Sequence, residues 1–119
     1  MKRKTIRSHA DFLSPRNGFF VKNSCFSVKA RPAKYQDSPR YGIVTSKRLF
    51  KLATARNRAK RLLRDWIAYN EDLMMPEFDY VFIADDEVLN CSRDMGRDLM
   101  EKAITKISKI YEKYEPKIQ

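Results

Sequence analysis

Residues 53–66 read ATARNRAKRLLRDW and set five cationic side chains and one asparagine beside leucines and a tryptophan. Stepping about 100° per residue, Ala55, Ala59, Leu62, Leu63 and Trp66 share one sector, with Ile67 at its edge. Asn57, Lys60, Arg61 and Arg64 fall on the far side, with Arg56 and Arg58 on the flanks. No acid interrupts the run before Asp65. Like charges four residues apart oppose helix formation by about 0.2–0.5 kcal/mol per pair. That penalty repeats here, at Arg56 with Lys60 and at Lys60 with Arg64. A helix face that is merely solvated usually mixes signs, so a polyanion is the natural counterpart of this one. Guanidinium forks suit the phosphates and 2′-hydroxyls of structured RNA, and such a helix also suits the major groove of DNA. The residues alone leave that choice open.

The rest of the composition agrees. Twenty-five Lys and Arg face fifteen Asp and Glu, a formal net charge of +10 in a chain of 119 residues. Nucleic acid is the first partner class, and an anionic membrane surface the second. No apolar run approaches the roughly 20 residues of a spanning helix, and MKRKTIRSHADF leads into no apolar stretch of a secretory signal. His9 is the one histidine and there is no CxxC, which argues against a zinc site. Cys25 and Cys91 read as two separate thiols of a reducing compartment. Asp85-Asp86-Glu87 could in principle hold Mg²⁺. Neighbouring carboxylates in a turn seldom converge on one ion, however, so a solvated loop is expected. Met74-Met75 and Trp66 are expected to pack inside.

These side chains need elements to position them. Residues 1–7 read as a basic arm, residues 8–115 as one RNA-binding domain and residues 116–119 as a tail. Ser8-His-Ala-Asp11 resembles a capping box, predicting a short helix that stops before Pro15. Asn17-Gly18 marks a turn, and Phe19-Phe20 could face either the core or a binding surface. Phe26, Val28 and Ala30 alternate with Ser27 and Lys29, predicting a half-buried strand over residues 25–30. Residues 31–40 read as a loop and 41–46 as a second strand. The basic helix is expected over about 54–70, and the apolar run YVFIA predicts a central strand over 80–84. Ser92 is expected to cap a last helix reaching about Tyr114. The order is helix-strand-strand-helix-strand-helix, an α+β two-layer sandwich. The unit spanning residues 41–84 would by default cross over with a right hand.

Arg56-Asn57-Arg58, followed by Ala-Lys60-Arg61-Leu-Leu-Arg64, closely resembles the signature helix of the bacterial ribonuclease P protein subunit. Arg40-Tyr-Gly-Ile-Val-Thr-Ser-Lys47-Arg48 and Phe78-Asp79-Tyr80-Val-Phe-Ile-Ala84 resemble the strands that flank that helix. The resemblance covers residues 6–111. It implies the cofactor protein of a ribozyme that removes the 5′ leader of precursor tRNA in the cytoplasm. Catalysis and Mg²⁺ would then belong to the RNA, with no catalytic or metal-binding side chain on the protein. The implied partners are the catalytic RNA and precursor tRNA, with no membrane and no obligate protein partner. The family fold implies a left-handed crossover in place of the default hand. Arg56, Asn57, Arg58, Lys60, Arg61 and Arg64 become the RNA-contacting set, extended by Lys47 and Arg48. Phe12 should line the leader cleft. Strand alternation independently puts Ser27, Lys29, Val44 and Ser46 on the face opposite Phe26, Val28 and Ile43.

Three positions depart from the family pattern. Arg16 stands where a second aromatic commonly follows Phe12. Lys29 stands where an aromatic is frequent, and Asp85-Asp86-Glu87 where basic residues are usual. With charge replacing stacking, the leader would be held more by its phosphates, with a steeper salt dependence. The alternatives are a generic structured-RNA or ribosome-associated binder, and a stand-alone nuclease using Asp79, Asp85, Asp86 and Glu87.

Overall fold

The computed structural model describes residues 4–5, 18–33 and 38–118. Five strands form one sheet: β1 (Lys4–Thr5), β2 (Phe19–Lys22), β3 (Phe26–Pro32), β4 (Arg40–Val44) and β5 (Phe78–Ala84). The described residues also form two long helices, α1 (Ala53–Tyr69) and α2 (Arg93–Ile118). Short 3-10 turns at Glu71–Leu73 and Asp86–Asn90 flank β5. The strand order is β1-β4-β5-β3-β2. β4 and β5 are adjacent and parallel with α1 between them in sequence, while β5, β3 and β2 pair antiparallel. The mixed α+β architecture expected from the sequence is present. The predicted helix before Pro15 lies outside the described residues.

Two strands were not foreseen. Lys4–Thr5, expected in a free arm, pairs in parallel with Arg40 and Tyr41 at the sheet edge. Two residues carry no periodicity that could announce a strand. β2 is four residues long, yet its alternation is visible in hindsight: Val21 is buried between exposed Phe20 and Lys22. β3 also continues past its predicted end through Pro32, opposite Phe78. A proline is tolerated there because it terminates the strand.

Register separates the two faces. Ile43, Phe82, Val28 and Val21 form one row, and Tyr41, Tyr80, Ala30 and Phe19 the next. The helices cover this face. Trp66, Leu63 and Ile67 of α1 and Met100, Ile104 and Ile107 of α2 are all fully buried in the same core as Phe26, Phe78, Tyr80 and Phe82. Phe78 meets Tyr111 edge-on, with ring centroids 4.8 Å apart. The predicted apolar sector of α1 therefore faces the sheet. Full burial of each such side chain contributes roughly 1.5–3 kcal/mol, so core packing sets the helix phase and with it the direction of the cationic side chains.

The helix ends show which groups hold them. Ser92 caps α2 as expected, its Oγ accepting from the Met95 amide at 3.1 Å. Asn70 is buried at the end of α1 and donates from Nδ2 to the carbonyls of Trp66 and Arg97, both at 3.0 Å, tying the two helices together. The two cysteines correct the expectation of separate thiols. Cys25 and Cys91 are joined as a disulfide across 66 residues of sequence. Cys25 immediately precedes β3 and Cys91 follows the turn after β5, and these strands run antiparallel with Phe26 opposite Ala84. Register brings the pair together, and nothing local in the sequence announces it.

Candidate nucleic-acid interface

The β4–α1 connection and the first turns of α1 carry the basic cluster. α1 begins at Ala53 with no side-chain cap on its first amides; its N-cap position is Leu52. Arg56 compensates in part. Its Nη1 donates to the Phe50 carbonyl at 2.8 Å and to the Lys51 carbonyl at 3.3 Å. This half-buried arginine, one of the residues expected to contact RNA, thus also fastens the connecting loop to the helix.

Ser46 differs in the same region. β4 ends at Val44, so Ser46 is not a strand residue. Its Oγ accepts from the Leu49 amide at 3.2 Å, and its carbonyl accepts from the Phe50 amide at 3.0 Å. The resulting turn presents Lys47 and Arg48, both exposed. Lys51, absent from the predicted set, is exposed beside them. Its signal was the density of cations in KRLFK, which the helix pattern overshadowed.

Asn57, Arg58, Arg61 and Arg64 are exposed along α1, and Lys60 is half-buried. Among the described residues none of Lys47, Arg48, Arg58, Lys60, Arg61 and Arg64 has a carboxylate partner. Asp65, the acid that ends the run, turns instead to α2. Arg97 grips it with two hydrogen bonds, at 3.1 and 3.2 Å, and lies over the Tyr69 ring at 4.2 Å. The hydrogen bond to Asp65 raises the Arg97 pKa above its ordinary value. The structure thus leaves the cations of α1 unneutralised while the nearest acid is paired elsewhere.

The face of the sheet opposite the two helices carries the other predicted group. Val44, Ile83, Ser27 and Lys22 form one row, and Gly42, Val81, Lys29 and Phe20 the next. Ser27, Lys29 and Val44 therefore share a face, as strand alternation requires. Phe12 and Arg16 lie outside the described residues. Sequence reasoning left Phe19 and Phe20 undecided, and the structure divides them. Phe19 packs in the core, 6.1 Å from the Phe78 ring, whereas Phe20 stands 54% exposed directly opposite Lys29. The face that seemed to lose an aromatic at Lys29 has one on the neighbouring strand.

A third row on this face is an ion cluster. Arg40, Asp79 and Arg31 lie side by side on β4, β5 and β3. Asp79 is only 2% exposed and accepts from both Nε and Nη2 of Arg40, the first at 2.8 Å, with Arg31 at 3.7 Å. The acidic loop is more ordinary. Asp85 accepts from the Asp86 amide at 2.9 Å and so caps the following turn, with Asp86 and Glu87 exposed.

Comparison with known proteins agrees with this geometry. The family model for ribonuclease P matches residues 1–108. The ribonuclease P protein component of Desulforapulum autotrophicum is 31% identical over 106 residues, spanning 89% of this chain and 90% of that one. That of Lactobacillus delbrueckii subsp. bulgaricus is 35% identical over 80 residues, and the chain spans 66% of its length. Among solved structures, the Staphylococcus aureus RNase P protein superposes with a TM-score of 0.69 at 26% identity, covering 92% of this chain and 96% of that one. The Thermotoga maritima RNase P protein gives 0.73 at 27% identity, covering 86% and 98%. The family match over residues 1–108, with these likenesses in sequence and in shape, settles the membership: the chain belongs to the ribonuclease P protein family.

Proposed function

We propose that the chain is the protein subunit of ribonuclease P, acting in the cytoplasm. It binds the catalytic RNA and the 5′ leader of precursor tRNA and assists Mg²⁺-dependent removal of that leader. The observation that carries this reading is the row of exposed, unneutralised cations on α1 in a member of this family. Arg58, Arg61 and Arg64, with Asn57 and Lys60, meet phosphates and 2′-hydroxyls of the catalytic RNA, and Lys47 and Arg48 extend that contact from the preceding turn. Arg56 holds the turn against the helix and so sets the spacing of the two groups. The open sheet face with Ser27, Lys29 and Val44 takes the leader, together with Phe12 and Arg16.

No protein side chain is assigned to the bond-breaking step. Asp79 is buried between two arginines, and the Asp85 carboxylate accepts from a backbone amide. Among the described residues no three His, Cys, Asp or Glu side chains gather in one place. The reading assigns the metal to the RNA.

The test is reconstitution. Purified protein is mixed with a bacterial ribonuclease P RNA and labelled precursor tRNA, at magnesium too low for the RNA alone. Leader release only when protein and RNA are both present supports the reading. Cleavage by protein without RNA points to a nuclease, and equal affinity for unrelated structured RNAs points to a generic binder.

A further inference from the structure

Among the described residues two aromatics stand exposed, Phe20 and Tyr69, and the Tyr69 ring already carries Arg97 over it. Phe19, next to Phe20 in the chain, is packed against Phe78 and Tyr111, at 6.1 and 6.0 Å between centroids. Phe20 points to the opposite face and is 54% exposed. Its cross-strand partner is Lys29, and Lys22 follows two residues along the same face beside Ser27. Both lysines are exposed. A single exposed apolar residue on a surface needs no explanation. An aromatic ring set between two lysines on an open sheet face has the composition of a single-strand stacking platform.

The charge of the face narrows the ligand. Among the described residues of its strands, the exposed Lys22 and Lys29 share it with one acid, Asp79, which is buried and already paired with Arg40 and Arg31. The two exposed lysines complement a polyanion. A duplex keeps its bases stacked on one another, whereas an unpaired strand can lay a base on a ring and leave its phosphates near the lysines.

We propose that Phe20, flanked by Lys22 and Lys29, forms a stacking subsite for one nucleobase of the unpaired 5′ leader. The proposal rests on the leader-binding reading above and adds a residue to it, on a strand where the family resemblance places no leader contact. Stacking on Phe20 tolerates any base, because every base presents a π face. The subsite therefore contributes affinity for a leader without selecting its sequence.

The experiment uses the reconstituted holoenzyme under conditions that block cleavage. Affinity is measured for a precursor tRNA with a short unpaired leader and for the same tRNA without one. Wild type, Phe20→Ala and Phe20→Trp are compared. Phe20→Ala is expected to weaken binding of the leader-bearing RNA about tenfold, the scale of one lost stacking contact. It should leave the leaderless RNA unchanged, and Phe20→Trp should restore affinity. Lys22→Gln and Lys29→Gln should each lower the salt slope of leader binding by about 0.7. Unchanged affinity in Phe20→Ala, or equal weakening for both RNAs, overturns the subsite. A wild-type holoenzyme that does not distinguish the two RNAs overturns the leader-binding reading itself. Melting curves for each variant, with the ring retained in Phe20→Trp, separate lost contact from lost fold.

Discussion

Arg56 donates to the backbone carbonyl of Phe50 at 2.8 Å, and this bond distinguishes it from the other cations of its helix. Phe50 is itself buried, at 2% exposure, so the bond anchors the loop to the core. Arg56→Ala removes a charge-assisted bond at an uncapped helix start. It should lower stability by about 1.5 kcal/mol, the low end for such bonds because the site is partly solvated. Arg61→Ala and Arg64→Ala should leave the melting temperature nearly unchanged while weakening binding to the ribozyme RNA. Each should also reduce the salt slope of that binding by about one. Thermal melting and salt-dependent titrations of the three variants provide the check. A large loss of stability in Arg61→Ala would contradict the helix phase described above.

Gly96 sits under the Trp66 ring. A methyl group built on Gly96 would lie 1.9 Å from the nearest ring carbon of Trp66, far inside van der Waals contact. Trp66 is fully buried and cannot swing into solvent. Gly96→Ala should therefore destabilise the fold by about 1–3 kcal/mol, despite alanine's better helix propensity. Denaturant unfolding measures it. A variant as stable as wild type would show that α1 and α2 can separate at this point without cost.

Tyr80 supplies a pH dependence. Burial raises its pKa from 10.0 to about 12, while its oxygen accepts from the Met75 amide at 2.9 Å. The folded pKa lies above the unfolded one, so the neutral phenol favours the fold. Its contribution is fully present below pH 10. It declines as pH rises from 10 to about 12, where the unfolded chain has released the proton and the native one has not. Over that window wild type should lose about 2–3 kcal/mol more than Tyr80→Phe. Parallel stability curves for both proteins would check this, and identical slopes would refute it.

Asp79 separates a structural carboxylate from a catalytic one. It is buried between Arg40 and Arg31, and removing one charge from a buried pair typically costs about 3–5 kcal/mol. Partial exposure of the two arginines, 28% and 23%, reduces that figure, and Asp79→Asn should destabilise by about 2 kcal/mol. Once folded, the variant should still support leader removal in the reconstituted enzyme. Abolished cleavage at unchanged stability would instead make Asp79 a catalytic group.

The sequence by itself determined what depends on neighbours along the chain. The phase of α1 was legible because Ala59, Leu63, Trp66 and Ile67 recur at helical spacing and are the side chains the structure buries. The opposing cations then had one direction left. The alternation of Phe26 and Val28 with Ser27 and Lys29 was legible for the same reason, with period two in place of 3.6. Ser92 announced its helix through the short reach of a hydroxyl to an amide three residues on.

Tertiary structure decided whatever depends on register between distant segments. Phe19 and Phe20 were interchangeable until β2 paired with β3 and sent one ring to each face. Asp79 read as a candidate nuclease carboxylate, and only the sheet register sets Arg40 and Arg31 beside it from two other strands. Arg56 read as a cation on the helix flank, and only the folded loop offers it the two carbonyls of Phe50 and Lys51. Cys25 and Cys91 met because β3 and β5 run antiparallel. Periodicity is a local property that a single segment carries, whereas pairing partners are chosen by the packing of the whole core.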